Sequence, residues 1–302
     1  VFPVEETRGR LDPHLETLAR RDLTAVAEHI ASPSYLFKHI TTQEVAYNLM
    51  LVSQRSELHQ SVGEWLENNL DDPSPYYPLL AHHFGQAGDL KRAAQYNQMA
   101  GRQALAKYAS VEAMAFFEAA IAADALRGEQ SSRTLRSHCH ILIGDALIDS
   151  NRVLPAERAL RQGLALSSAP APGGTFGNLL VCARLGILSW AQRRWPALFL
   201  RLAPEAERAE LQFLARAHQR LTEAIYLRNW MPGVLHGGFR ALNLAQRGGP
   251  SAMLTATEAN IAVVMSAMGF DKAGAYYEAR ARAGVVAVES LSLRTYVLFA
   301  LA

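Results

Sequence analysis

The chain has 302 residues, of which 50% are hydrophobic and 19% are charged. This composition is typical of a globular protein and excludes an intrinsically disordered one. The formal net charge of +2 lacks the strong basic excess of nucleic-acid-binding proteins, so we expect no nucleic-acid partner. The longest apolar runs are too short to cross a bilayer. We therefore expect no membrane partner and a cytoplasmic location.

The two cysteines and the two chain ends add to this description. Cys139 and Cys182 lie far apart without metal-ligand spacing, so we interpret them as reduced core residues of a cytosolic protein. The chain starts at Val1 without an initiator methionine or a signal peptide. Residues 296–302 end it within an apolar helical pattern. We expect the chain to be a piece of a longer protein.

Residues 1–72 form the first predicted domain, a winged-helix-like segment. Apolar residues at intervals of three to four predict a helix over residues 15–30. A short strand is predicted over residues 35–40. Thr41 and Glu44 have the spacing of a capping box, which predicts the start of a helix that continues to Val52.

A second helix and a linker complete this first domain. The helix has apolar residues on one face at Leu58, Val62, Trp65, Leu66 and Leu70. The stretch 71–75 contains two aspartates and two prolines, a composition typical of a linker. From residue 73 to residue 302 we predict a tetratricopeptide-like array of helical hairpins.

The array is predicted from recurring small residues. Gly144 precedes Ala156 by twelve residues across a turn at 151–152, and Gly186 precedes Leu198 by the same interval across a turn at 193–195. A small residue lets two helices approach closely, and stacked hairpins then bury a common core. We place equivalent positions at Ala93, Ala113, Ala156, Leu198, Val234 and Ala273. Loops are predicted at 169–174, which is a possible break in the array, and at 248–250.

Several motifs in residues 10–125 resemble one protein family. Their order is Phe37-Lys38-His39, Glu44-Val45-Ala46-Tyr47, Leu80-Ala81-His82-His83 and Ala87-Gly88-Asp89. This order is similar to the junction in bacterial STAND-type ATPases where a winged helix continues into tetratricopeptide repeats. Such ATPases are fused to class III adenylate or guanylate cyclases or to transcriptional regulators. The later repeats match only in their periodicity.

The resemblance implies an all-α fold in which a winged-helix-like segment precedes a right-handed tetratricopeptide-like superhelix. It implies a non-catalytic regulatory and protein-interaction module of a larger signalling ATPase, which senses a protein or ligand on the concave repeat face and contacts the neighbouring ATPase domain. Two alternatives stay open: a fragment of a nucleotide cyclase, and the repeat region of a transcriptional regulator. His39 matches the histidine that reaches the nucleotide phosphate in the full-length parent. It could equally bond a backbone carbonyl.

The sequence contains no motif for catalysis or metal binding. There is no phosphate-binding Gly-x-x-x-x-Gly-Lys-(Ser/Thr), no His-Glu-x-x-His or Cys-x-x-Cys, and no Gly-x-Ser-x-Gly. We therefore expect no catalytic residues, no metal site and no cofactor in this chain. His82 and His83 are adjacent, as His138 and His140 are nearly so, and such pairs point apart on a helix.

Two further groups have both a structural and a functional interpretation. Asp145 and Asp149 have the spacing for two carboxylates on one helix face, which we interpret as a solvated face. Residues 193–195, Arg-Arg-Trp, could contact nucleic acid. The preferred interpretation is hairpin packing by Trp190 and Trp195, with arginines at a helix C-terminus. The predicted recognition helix, 42–52, contains no Lys or Arg, so we expect it to contact protein.

Overall fold

The computed structural model describes residues 11–27, 34–171, 174–226, 231–286 and 291–300. Helix accounts for 82% of these residues, and the sheet found among them has two strands. The predicted all-α class is confirmed. The chain divides into two compact units, one of Val1–Gln103 with Glu118–Ser131 (unit 1) and one of Ala104–Phe117 with Ser132–Ala302 (unit 2).

Unit 1 begins with a helix, a hairpin of two strands and then further helices. The elements are α1 Leu11–Arg20, β1 Thr24–Ala27, β2 Ser34–Phe37, α2 Ile40–Leu49, α3 Val52–Asn69 and α4 Tyr77–Ala87. Helices α5 Leu90–Ala106 and α6 Ser110–Ala125 contribute residues to both units.

The helix predicted over residues 15–30 is wrong in its second half. Helix α1 ends at Arg20, and Asp22 has a φ of 62°, a left-handed conformation that a helix cannot continue through. Strand β1 then pairs antiparallel with β2, with Thr24 opposite Phe37. The β-branched side chains of Thr24 and Val26 favour this extended pairing. Residues 28–30 of the predicted helix lie outside the described part.

The capping box predicted at Thr41 is also wrong. The residue that caps α2 is His39, and its side chain makes no capping hydrogen bond. The helix ends at Leu49 rather than at Val52, because Met50 and Leu51 adopt extended conformations. The backbone N–H of Leu51 donates to the Gln54 side chain at 3.0 Å and so begins α3.

Helices α3 and α4 share one core across the predicted linker at 71–75. Leu66 of α3 is buried together with Leu80 and Phe84 of α4. A Cβ at Gly63 would lie 2.8 Å from the Phe84 ring, so the helices approach closely there. The helices on the two sides of residue 72 therefore stabilise each other. The predicted domain boundary at residue 72 stays a prediction.

Unit 2 consists of nine described helices beyond its share of α5 and α6. They are α7 Arg133–Asp149, α8 Val153–Leu166, α9 Gly174–Arg194, α10 Pro196–Phe199, α11 Glu205–Tyr226, α12 Met231–Gly248, α13 Ala252–Ala267, α14 Asp271–Val285 and α15 Leu291–Ala300. Three pairs form close hairpins: α7 with α8, α11 with α12 and α13 with α14. Their buried side chains form the largest core of the unit.

The turn between α7 and α8 lies where the sequence predicted it, at residues 151–152. Asn151 has a φ of 57° between the two helices, a conformation that Asn tolerates better than most residues. A Cβ at Gly144 would lie 2.5 Å from Cγ of Leu160. Gly144 therefore faces Leu160, one turn beyond the Ala156 that we predicted.

The hairpin predicted from Gly186 and Leu198 does not form. Helix α9 is continuous over 21 residues, and a Cβ at Gly186 would meet no atom within 4 Å. Leu198 is 59% exposed, so it does not occupy a helix contact. Helix α9 packs instead against α12. The other five predicted contact positions, from Ala93 to Ala273, are buried.

Within the loop predicted at 169–174, Pro170 is exposed but Ala169 is buried. Ala169 is 1% exposed, and its carbonyl accepts a hydrogen bond of 2.9 Å from Nε2 of His218. Gly174 begins α9, and residues 172–173 lie outside the described part. The turn predicted at 248–250 is present, with Gly249 at a φ of 88°. Among the described residues, no helix has the length and apolarity needed to cross a bilayer.

Candidate functional site

A surface cleft of unit 2 lies at the C-terminal end of α9. It has a volume of about 660 Å³. Its lining, which we call the cationic cleft, consists of Trp190, Arg193, Arg194, Gly269, Phe270, Asp271, Lys272, Ala273 and Tyr276. The cleft thus joins the end of α9 to the turn between α13 and α14.

Local sequence signals place both walls of this cleft. Pro196 is the first residue of α10, and the residue before a proline is disfavoured in a helix, so α9 ends just before Trp195. On the other wall, Gly269 has a φ of 78°. The N–H groups of Gly269 and Phe270 donate back to the last turn of α13, which is a glycine-terminated helix end.

Aromatic side chains at Trp190, Phe270 and Tyr276 give the cleft its apolar surface, and Trp195 lies beside it. Trp190 and Trp195 meet edge to face with ring centroids 5.4 Å apart. They are 53% and 46% exposed, and Phe270 is 56% exposed. The prediction that both tryptophans pack inside a hairpin is therefore wrong: they contact each other at the surface. The predicted place of the two arginines in the last turn of a helix is confirmed.

Positive charge dominates the cleft. Its lining has three cationic side chains, Arg193, Arg194 and Lys272, and one carboxylate, that of Asp271. Among the described residues none of these four side chains forms an ion pair. The buried Nε of Arg193 has no hydrogen-bond partner there. The three cations are therefore available to a ligand.

The arginines also lie against aromatic rings. Cζ of Arg194 is 5.5 Å from the centre of the Trp195 ring, and Cζ of Arg193 is 5.7 Å from that of Tyr277. Such contacts orient guanidinium groups while leaving their N–H donors free. Tyr277 itself is buried, and burial raises the pKa of its phenol to about 12, so this ring stays neutral.

A second cleft of about 380 Å³ adjoins the first and is mainly apolar. The two share Arg193, Phe270 and Ala273. This apolar cleft lies between α9 and α12, with Phe239, Met265 and Met268 among its lining residues. Cys182 also lines it, and burial raises the pKa of that thiol. An apolar cleft that adjoins a cationic cleft suits a ligand that has both apolar and acidic groups.

His39, the residue proposed to reach a nucleotide phosphate, lies at the surface of unit 1. Its backbone carbonyl accepts hydrogen bonds from the N–H groups of Thr42 and Gln43. Among the described residues its side chain bonds no backbone carbonyl. The structural alternative and the phosphate role both stay predictions.

The histidines of the Leu-Ala-His-His motif belong to a cluster that the sequence did not predict. Nδ1 of His83 lies 2.8 Å from Nδ1 of His59, whose Nε2 is 3.0 Å from the Tyr47 hydroxyl. The His82 ring lies 5.6 Å from that of His59. Burial and neighbouring histidines lower the pKa of His59 and His83. Among the described residues no group of three or more His, Cys, Asp or Glu could hold a metal ion.

The Ala87-Gly88-Asp89 motif ends one helix and starts the next. Gly88 adopts a φ of 80° after α4. The Asp89 carboxylate accepts from the backbone N–H of Arg92 at 3.0 Å, which caps α5. The guanidinium of Arg92 also pairs with Glu64 and Glu67. These residues therefore hold α3 and α5 together.

The solvated face that we expected for Asp145 and Asp149 of α7 holds for Asp149, which is exposed, but not for Asp145. Asp145 is 2% exposed and pairs with Arg216 and Arg220 of α11. Asp149 pairs with Arg220 as well. His138, which we expected to point away from His140, lies 2.8 Å from Glu210. Both contacts join α7 to α11.

Comparison with known proteins gives no match. No family model, no curated protein and no solved structure is significantly similar to this chain.

The family resemblance therefore rests on the quoted motifs alone. Sequence reasoning identified Arg193, Arg194 and Trp195 as a possible site but missed Phe270, Lys272 and Tyr276. The sequence signal that could have indicated the missing wall is Gly269, a residue type that favours a turn without showing which helix end the turn faces.

Proposed function

We propose that this chain is a non-catalytic regulatory and protein-interaction module, and that unit 2 binds an acidic, partly apolar peptide segment of a partner protein in the cationic cleft. The observation that carries the proposal is the combination of Arg193, Arg194 and Lys272, none of them ion-paired in the described structure, with exposed aromatic rings. Cations with N–H donors bind carboxylates, and aromatic rings bind apolar side chains.

The shape of the site favours a peptide over a nucleic acid. A cleft of about 660 Å³ accommodates one or two side chains, and the adjoining apolar cleft provides space for another. A nucleic acid would need a basic stripe that neutralises several successive phosphates. The net charge of +2 and the carboxylate of Asp271 inside the cleft oppose that mode.

We propose that residues 1–72 act as the winged-helix-like segment of a STAND-type ATPase in the cytoplasm, followed by the tetratricopeptide-like superhelix. Apolar side chains support a neighbouring-domain contact at β2, α2 and the start of α3. They are exposed in unit 1 at Leu36, Ile40, Val45, Leu49, Leu51 and Val52. An apolar surface of this extent is typical of a protein interface. His39 lies within the same segment.

Fluorescence anisotropy tests the proposed cleft. The probe is a fluorescein-labelled peptide of alternating acidic residues and leucine with one phenylalanine, and its control replaces every acid with lysine. We expect the acidic peptide to bind and the basic one not to bind. Changing Arg194→Gln together with Lys272→Gln should weaken binding at least tenfold, about 1.4 kcal/mol.

A matched double variant keeps the change in net charge constant. Arg158 and Lys107 are exposed residues of unit 2 outside the cleft, so Arg158→Gln with Lys107→Gln should leave the affinity within about twofold. Equal losses in both double variants would mean that only overall charge attracts the peptide. Tighter binding of a single-stranded oligonucleotide than of the acidic peptide would contradict the proposal.

A further inference from the structure

Helix α12 carries two basic side chains one turn apart, His236 and Arg240. His236 is 3% exposed, and its buried Nε2 has no hydrogen-bond partner among the described residues. Arg240 is partly buried, and within the described residues no carboxylate forms an ion pair with it. The buried Nε2 of His236 thus lacks the protein partner that such burial normally requires. The guanidinium of Arg240, by contrast, is only partly buried.

Other basic residues act electrostatically on this pair, and two of them, Arg184 and Arg247, are exposed. Burial lowers the pKa of Arg240, and the charges of Arg247 on α12 and Arg184 on α9 lower it further. Burial, Arg240 and Arg161 of α8 lower the pKa of His236 to about 4. Arg161 does have a carboxylate partner, Glu157, at 2.9 Å.

The His218 ring lies close to the same group. Its centroid is 5.9 Å from that of His236, and the residue is completely buried. Nε2 of His218 donates to the Ala169 carbonyl, so the ring is neutral with its bare Nδ1 inside the protein. His218 therefore adds a polar wall to the group without adding charge.

An anion beside Arg240 would offset the cost of partly burying a cation next to other positive charges. Three helices, α8, α9 and α12, contribute to this cluster of basic residues. Helix α12 packs directly against α9, so the cluster is built into the unit rather than formed by a loose loop.

We propose that Arg240 and His236 form a binding site for a phosphate-class oxyanion, with Arg184 and Arg247 adding to the attraction. The planar guanidinium of Arg240 can donate two parallel hydrogen bonds to such a group. Neutral His236 can donate one more from Nε2. This site is separate from the cationic cleft, whose lining contains neither residue, and it does not depend on the function proposed there.

Isothermal titration with inorganic phosphate tests the site. The wild-type chain and the Arg158→Gln variant, in which an exposed arginine of α8 is replaced, should bind phosphate with equal affinity. The Arg240→Gln variant should bind at least tenfold more weakly. The melting temperature gives a second readout. Without phosphate, Arg240→Gln should melt no lower than the wild type, because a repelled cation has been removed. With phosphate only the wild type and the control should gain stability.

A loss of stability in Arg240→Gln without phosphate, or unchanged phosphate affinity in that variant, would overturn the proposal. Should that variant fail to fold, Arg184→Gln replaces an exposed residue and should still weaken phosphate binding severalfold. Unchanged affinity there would then overturn it. Titrating glycerol phosphate in parallel shows whether the site binds the free phosphate ion or a phosphate group of a larger molecule. Binding as tight as that of inorganic phosphate indicates a phosphate group carried by a larger molecule, whereas much weaker binding indicates the free ion.

A spectroscopic measurement separates a bound anion from a structural effect. A nearby negative charge favours the protonated form of histidine, so phosphate should raise the pKa of His236. The pKa is read from the imidazole NMR signals over a pH series. A His236 signal that does not respond to saturating phosphate would place the anion elsewhere.

Discussion

Oδ1 of Asp145 lies 3.2 Å from Nε of Arg220, a residue 75 positions further along the chain. The carboxylate is 2% exposed. Burial raises the pKa of Asp145, an effect that the charges of Arg216 and Arg220 oppose. The pair joins helix α7 to helix α11 and so fixes how one hairpin meets the next.

Replacing Asp145 with asparagine should destabilise unit 2 by about 1–3 kcal/mol, because the buried arginine contact loses its charge. Asp149→Asn is the matched control. Its side chain is 44% exposed, and exposed ion pairs contribute less than about 1 kcal/mol. Urea unfolding followed by circular dichroism measures both. Equal losses of unfolding free energy in the two variants would mean that the burial of Asp145 does not determine how strongly it binds the arginines.

Two mid-helix glycines should respond in opposite directions to alanine. A Cβ at Gly144 would lie 2.5 Å from Cγ and 3.3 Å from the backbone nitrogen of Leu160. Gly144→Ala should therefore force α7 and α8 apart and cost about 1–3 kcal/mol. Gly186→Ala meets no neighbouring atom and should stabilise α9 by about 0.5–1 kcal/mol, because alanine restricts the unfolded chain. Thermal unfolding distinguishes the signs. A stabilising Gly144→Ala would contradict the close contact.

Acid should destabilise the protein through its buried histidines. Complete burial lowers the pKa of His218 to about 3, whereas in the unfolded chain it is about 6.5. Between these values the unfolded chain binds the extra proton, so stability is full above pH 6.5 and falls as the pH drops. We expect a loss of about 2 kcal/mol from this residue between pH 7 and pH 5.

The variant His218→Gln tests that assignment. Its amide N–H can still donate to the Ala169 carbonyl, but it cannot take up a proton. Urea unfolding at pH 7 and pH 5 should show a smaller loss of stability than in the wild type, by about 2 kcal/mol. An identical pH dependence in both proteins would show that His218 is protonated in the folded state.

Cys182 should report occupation of the apolar cleft. Its thiol lines that cleft, whereas Cys139 is completely buried and should react only on unfolding. The acidic peptide described above should slow alkylation of Cys182 by iodoacetamide severalfold, as measured by mass spectrometry. Peptide binding without any protection of Cys182 would restrict the peptide to the cationic cleft.

The sequence by itself determined the helical class and several helix ends, because these depend on neighbouring residues. Gly88, Asn151 and Gly249 mark turns through conformations that few other residues adopt readily. Pro196 marks the end of α9 through the restriction it places on Trp195. The small residue at Gly144 also indicated a close helix contact, although its partner is Leu160.

Tertiary structure decided whatever depended on a distant partner. Residues 24–27 have a helix-compatible pattern and become a strand because residues 34–37 complete the hydrogen bonds. Asp145 has the sequence spacing of a surface residue and is buried because Arg216 and Arg220 neutralise it from another helix. The cationic cleft exists because the turn after α13 meets the end of α9. Local patterns determine helices through hydrogen bonds within a few residues, whereas burial and binding surfaces depend on which helices pack together.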